Sequence, residues 1–231
     1  MKLEYVLPLP QVPSVAVAET GERFPVRRIF CVGRNYAAHA REMGRDPDRE
    51  LPFFFLKPAD TVVDDGVTIP YPPETADFHY EMELVVAIGK GGTNIPAEQA
   101  LEHVYGYAAG IDLTRRDLQL AARAQGRPWD WGKGFDLSAP CAPIQPAARI
   151  GHPNQGRIWL AVNDVPKQEA DLADLIWGVP DVIAFISNSM ALQPGDLIYT
   201  GTPAGVGPVN RGDVITGGID GVGNITTIIA P

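Results

Sequence analysis

YEMELVVAIG, residues 80–89, is the stretch from which the fold can be read. In an extended strand its two-residue period places Glu81, Glu83, Val85 and Ala87 on one face, and Met82, Leu84, Val86 and Ile88 on the other. The strongly apolar remainder expects burial on at least one face. Two carboxylates then point the same way, a few residues from a core. At an exposed edge they would simply be solvated. Buried, they need compensation, because an uncompensated carboxylate is costly to remove from water. A divalent cation is the simplest compensation, and a nearby arginine would also serve.

Working outward, VYGYAAGIDLT (104–114) reads as a second long buried strand, and Asp112 at its end can offer a third oxygen. Three carboxylates without a Cys or His pair suit a hard ion that keeps water, magnesium or manganese, with calcium a lesser alternative. Upstream, RRIFCVG (27–33) and PFFFLKP (52–58) read as short strands. Between them Asn35 is placed to cap a short helix, YAAHAREM, stopped by Gly44. Downstream, IPAEQALEHV (95–104) and RRDLQLAARAQG (115–126) read as helices, the second ended by Gly126. RIWLAVNDVPKQEA (157–170) reads as a hairpin turning at Asn163-Asp164. Two helical pieces follow, around DLADLIW and PDVIAFISNSMAL, and then glycine-broken short strands to the C-terminus. The 24 glycines and 22 prolines are spread along the chain, which fits many short strands with sharp turns. The reading is an extended arm over residues 1–25, then a single β-rich α+β domain over 26–231.

Bulk properties narrow the partners. A net charge of −9 argues against a nucleic-acid surface but leaves room for a small anion held by two or three local cations. No basic-then-apolar leader and no run of about 18 apolar residues is present, so a soluble, cytoplasmic protein is expected, without a membrane partner. Cys31 and Cys141 sit in apolar surroundings and read as reduced core thiols.

Other side chains carry chemistry. Tyr36, His39 and Glu42 are spaced to share a helix face, where Glu42 can orient His39 as a general base. The same spacing also occurs as an incidental pair on a surface helix. Such a short helix would suit a lid that orders over substrate. Lys133 lies among aromatics and glycines in WDWGKGFD and asks for an anionic partner, whereas Arg115 reads as an exposed helix residue. GTPAGVG (201–207) lacks the Gly-Lys-Ser/Thr ending of a phosphate loop, but its amides or the Thr202 hydroxyl could meet a ligand. His79 shares the parity of the glutamates. His103 and His152 read as surface or loop residues.

Taken in order, VGRNYAAHAREMG, PFFFLKPAD, HYEMELVVAIGKG, GIDLTRRDLQ, GRPWDWGKGFD and GDLIYTGTPAGVGPV resemble the fumarylacetoacetate hydrolase family, and within it the fumarylpyruvate hydrolase and acylpyruvase members. The resemblance runs from about Val26 to the C-terminus. It implies a mixed β-roll with short flanking helices, usually a homodimer. It implies metal ligation by Glu81, Glu83 and Asp112, a lid dyad of His39 and Glu42, and substrate contacts from Arg116, Gln119, Lys133 and Thr202, with Lys133 counted also among the catalytic groups. The implied activity is magnesium- or manganese-dependent hydrolysis of a carbon–carbon bond in an acylpyruvate, a small anionic diketo acid, fumarylpyruvate first among them. Oxaloacetate decarboxylation or keto–enol isomerisation is the alternative within the family. A non-catalytic metal- or anion-binding module is the alternative outside it. Trp131-Gly132 before the lysine departs from the smaller or more flexible pair of many relatives, which bears on the acyl pocket.

Overall fold

The computed structural model describes residues 5–37 and 51–231. The strand Met82–Ile88 lies inside the largest sheet, between Asp196–Tyr199 and Val104–Ile111. Arg28–Gly33 and Phe53–Lys57 extend the sheet on one side, Ala139–Cys141 and Val62–Asp64 on the other, and Gln145–Pro146 also pairs with Val104–Ile111. Asp196–Tyr199 runs parallel to Arg28–Gly33, and Ala139–Cys141 parallel to Val62–Asp64; the remaining neighbours are antiparallel. A five-stranded sheet runs Val165–Asp171, Arg157–Val162, Val214–Ile219, Gly223–Ile229, Thr68–Ile69. A small third sheet centres on Phe78–Tyr80, flanked by Thr114–Arg115 and Gly207–Pro208.

The strand's two faces enter two different cores. Met82, Leu84, Val86 and Ile88 pack into the main core with Ile158, Leu160, Ile215 and Ile225 of the five-stranded sheet and Val182, Ile183 and Ile186 of the helix Val179–Ser189. Val85 and Ala87 face a second core with Ile29, Cys31, Cys141 and Tyr199. Burial on both faces is why the strand is almost uninterruptedly apolar. Both cysteines are free and buried, and burial raises both thiols, Cys141 to about 12.

The expected elements are largely present. Asn163 and Asp164 both take positive φ, the backbone a tight hairpin turn demands of a non-glycine pair. The 95–104 helix is a 3-10 helix over Ala97–His103, and DLADLIW contributes one 3-10 turn, Leu172–Asp174. The 115–126 helix begins at Arg116 because Thr114–Arg115 joins the third sheet. It ends in a Schellman arrangement: Gly126 adopts φ 64°, its amide donates to Arg123 O, and the Arg127 amide donates to Ala122 O. Within the stretch read as an extended arm, Ser14–Ala16 pairs with Arg23–Pro25, and Val15, Val17 and Phe24 fill the second core. The turn of this hairpin lies at 17–22, where the Val17 amide donates to Glu22 O, beyond the proline-rich stretch that reads as extended. The helix that Asn35 is expected to cap lies outside the described residues, and the Asn35 side chain is engaged elsewhere. Its buried amide donates to Trp177 O and Thr200 O and accepts from Trp177 N. The lid helix, with His39 and Glu42, lies outside the described residues. Among the described residues no helix is long and apolar enough to cross a membrane.

Candidate metal centre and its cleft

The two long central strands change sheets at one seam. Phe78–Tyr80 belongs to the third sheet and Met82–Ile88 to the large one, leaving Glu81 at the step. The partner strand makes the same transition, so Asp112 lies between Val104–Ile111 and Thr114–Arg115, and its amide donates to Glu81 O at 2.8 Å. Asp196–Tyr199 reaches the seam too. Thr200 N donates to Leu84 O, Gly201 N donates to Glu83 Oε2 at 2.7 Å, and Gly207 pairs with Tyr80. Gly201 has φ 99°, and a Cβ there would lie 2.7 Å from Asn35 Cβ, so the turn that aims this amide needs glycine.

One carboxylate oxygen from each of Glu81, Glu83 and Asp112 lies within 4.8 Å of the other two, and all three residues are buried. Among the described residues three cations approach them, unevenly. Arg116 Nη2 donates to Glu81 Oε1, and Lys133 Nζ donates to Glu81 Oε2 at 2.8 Å and Asp112 Oδ2 at 2.6 Å. Lys57 Nζ stands 2.9 Å from Asp112 Oδ1. Its hydrogen bonds go to the carbonyls of Leu113 and Lys133, so Oδ1 has a neighbouring charge but no hydrogen bond. Glu83 has the Gly201 amide and, among the described residues, no cation within ion-pair distance. Burial first, then Asp112 and Glu81, hold its carboxyl well above the usual carboxylate range. Burial pulls Lys133 down, but Asp112 and Glu81 outweigh it and raise it, so the ammonium stays charged.

These features fit a divalent ion. A buried Asp112 oxygen without a hydrogen bond and a buried Glu83 carboxylate with no directly paired cation among the described residues are what an oxygen-liganded cation would satisfy. The all-oxygen donor set favours magnesium or manganese over softer metals.

Above the carboxylates, a cleft is lined by Arg116, Gln119, Lys133 and Thr202, all buried and all expected there, together with Val32, Gly33, Arg34, Phe55, Arg123 and Trp129. Arg116 and Gln119, three apart on one helix, share a face and are hydrogen-bonded. Thr202 Oγ1 accepts from Gln168 Nε2 at 2.8 Å, leaving the hydroxyl proton for the cleft. His79 stands outside the carboxylate cluster. Its Nε2 is 2.8 Å from Asp77 Oδ1 and its Nδ1 is 3.4 Å from Arg116 Nε, an arrangement that makes Nε2 the donor and Nδ1 the acceptor. Burial and then Arg116 lower its pKa, so the ring is neutral.

Two expectations are corrected. Arg115 is not an exposed helix residue: it is buried, donating to Trp131 O and Pro73 O. His103 is also buried, with Nδ1 on Lys90 O, whereas His152 is exposed beside the Tyr107 hydroxyl. Lys57 joins the site beyond the expected residues; a lysine at the end of the apolar run PFFFLKP is itself the signal of a buried cation with a buried partner.

Acidic oxygens at a β-sheet seam, with a cation-lined cleft above them, define a metal-dependent enzyme of the mixed β-roll type. Residues 28–230 match the fumarylacetoacetate (FAA) hydrolase C-terminal model, and the chain belongs to that family. A fumarylpyruvate hydrolase of Ralstonia sp. is 50% identical over 191 residues, 82% of this chain and 99% of that protein. A mitochondrial oxaloacetate tautomerase of Arabidopsis thaliana is 41% identical over 86% of this chain and 88% of that protein. The crystal structure of fumarylpyruvate hydrolase from Pseudomonas aeruginosa, in complex with Mn2+ and pyruvate, is 52% identical, with a TM-score of 0.95 over 98% of this chain and 99% of that one.

Proposed function

We propose that the chain hydrolyses a carbon–carbon bond of an acylpyruvate, most directly fumarylpyruvate to fumarate and pyruvate. The observation that carries this is a buried cluster of three carboxylates, unevenly paired with cations, that opens onto a cation-lined cleft. Identity of 50–52% to fumarylpyruvate hydrolases over nearly the whole of their length supports the same reading.

A divalent ion held by Glu81, Glu83 and Asp112 supplies Lewis acidity toward the oxygens of a keto acid. The chain's own groups do the rest. Arg116, oriented by Gln119 and Glu81, offers a planar fork for the substrate carboxylate, and Lys133 adds a fixed positive charge beside it. The Thr202 hydroxyl is a further donor to substrate oxygen. His39, oriented by Glu42, takes a proton from a water whose oxygen bonds to the distal carbonyl carbon. The carbon–carbon bond breaks, the electron pair leaves on the three-carbon fragment as an enolate, and a proton returned to its carbon gives pyruvate. The acyl fragment departs as a carboxylic acid. Manganese and magnesium are the proposed native ions, a cytoplasmic homodimer the proposed state, the latter readable by sedimentation.

Purified protein with Mn2+ is expected to remove the ultraviolet absorbance of enolised fumarylpyruvate. His39→Ala should lower kcat by about 10²–10⁴-fold, the range of general base catalysis, while ion binding persists. Unchanged turnover in His39→Ala would exclude the proposed base. Activity on oxaloacetate alone would favour the tautomerase-like reading, which the 41% identical relative supports.

A further inference from the structure

The helix Arg116–Ala124 presents Arg116, Gln119 and Arg123 at positions i, i+3 and i+7, one face of an α-helix. The first two are buried at the floor of the cleft, and Arg123 lines the same cleft nearer solvent. The Schellman turn at Gly126 then folds the chain back, and Arg127 lines a second pocket that shares Arg34, Phe55, Trp129 and Lys133 with the first. The shared wall is aromatic. Trp129 meets Phe53 edge-on with ring centroids 5.3 Å apart and Phe55 at 5.9 Å. Among the described residues, Arg123 and Arg127 make no side-chain hydrogen bond or ion pair. Among the described residues Asp130 is the only acidic one on the outer pocket's wall, and it pairs with neither. In a chain of net charge −9, two uncommitted guanidinium groups, one on each of two adjoining pockets, are a local reversal of sign.

A substrate whose keto-acid end occupies Arg116, Gln119 and Lys133 can extend along the aromatic wall that joins this cleft to the outer pocket. We propose that Arg123 and Arg127 recognise a second, terminal carboxylate on the acyl arm, making the site selective for acylpyruvates derived from a dicarboxylic acid, with Trp129, Phe53 and Phe55 flanking the flat unsaturated chain. The proposal rests on the acylpyruvate reading above and deepens it. An acyl arm ending in methyl leaves both guanidinium groups in water and gains nothing from them. A carboxylate-ended arm gains charge-assisted, bidentate contacts that are partly screened by solvent.

The test is Arg123→Gln, Arg127→Gln and the double variant, each compared with the parent on fumarylpyruvate and acetylpyruvate. The double variant should lose about tenfold in kcat/KM on fumarylpyruvate, mostly through KM, and keep its acetylpyruvate kcat/KM. Raising NaCl from 50 to 500 mM should erode the parent's preference but not the variant's. A second arm is independent of turnover: calorimetric binding of fumarate and crotonate to Mn2+-loaded protein. The parent should bind fumarate about tenfold more tightly, and the double variant should bind the two alike. Equal loss on both substrates, or a fumarate preference that survives in the double variant, would overturn the proposal. If the parent turns over neither acylpyruvate, the hydrolase reading falls, and the binding arm still decides the role of the arginines.

Discussion

Glu83 shows most sharply how a side chain that serves an ion works against the bare fold. It is almost wholly buried, accepts one amide hydrogen bond and faces two other carboxylates, whereas Glu81 and Asp112 each have cationic partners. Breaking the charge without changing the shape should relieve that conflict, since a buried uncompensated charge is more costly than a neutral isostere. Glu83→Gln, whose amide oxygen can still accept from Gly201, is expected to melt higher than the parent when both are metal-free, a gain of about 1–3 kcal/mol. Mn2+ should no longer raise its melting temperature, and turnover should fall at least a hundredfold. A variant that melts lower and still responds to Mn2+ would show that Glu83 is structural. At this scale the sequence was most informative where chemistry contradicts surroundings. Two glutamates in an apolar strand, and Lys133 among aromatics, announce buried partners. Lys57 carries the same signal, a lysine closing three phenylalanines. The burial of Arg115 and His103 is not legible in the sequence because their partners are backbone carbonyls of Trp131, Pro73 and Lys90, and a carbonyl leaves no trace in residue type.

Among the elements, the helix Arg116–Ala124 sets the cleft, and its N-terminal turn is held by Asp117. That carboxylate accepts from Thr75 Oγ1 at 2.6 Å, Ala76 N at 2.9 Å and Leu118 N at 2.9 Å, tying the 75–76 loop to the helix start, where a negative charge also favours the helix dipole. Desolvation raises its pKa, but these hydrogen bonds outweigh it and the net shift is downward. A carboxyl with a lower pKa in the folded than in the unfolded chain stabilises the fold above the unfolded value of about 4, and that contribution fades as the pH falls through the folded value. Asp117→Asn should therefore cost about 1–2 kcal/mol at pH 7, the loss of hydrogen bonds to a charged acceptor. The deficit should shrink toward pH 3, followed by urea melts across that range, and KM should rise because Arg116 and Gln119 ride on the same helix. A deficit independent of pH would assign Asp117 a packing role instead. Strand parity over residues 82–88 could be read because period two survives any tertiary context. The break at Glu81 could not, because it arises from a change of pairing partner, from Val104–Ile111 to Thr114–Arg115 and Gly207–Pro208. The hairpin within residues 14–25 was hidden for the same reason: its pairing and its contact with Ile144 are long-range facts behind a proline-rich surface pattern.

Across the whole molecule, the carboxylates sit where three strands leave the large sheet together for the third one, so an ion there would bind to the step that joins the sheets rather than to a peripheral loop. Such an ion binds the folded chain and finds no preformed site in the unfolded one, and binding must then appear as stability. At an ion concentration about a hundred times the dissociation constant the gain is about 2.7 kcal/mol. For a domain of this size, about 2–4 °C per kcal/mol converts it to a rise of roughly 5–10 °C in melting temperature. Turnover and this increment should disappear together on exhaustive chelation and return together on adding Mn2+ or Mg2+, with midpoints at the same ion concentration in calorimetry and in the absorbance assay. The local cations sharpen the comparison. Lys133 and Lys57 already neutralise part of the cluster, so the chelated protein should stay folded rather than collapse as a small zinc-nucleated domain does. A chelated protein that retains full turnover and an unchanged melting curve would remove the ion from the mechanism, and the seam would then be a self-neutralised ion-pair network.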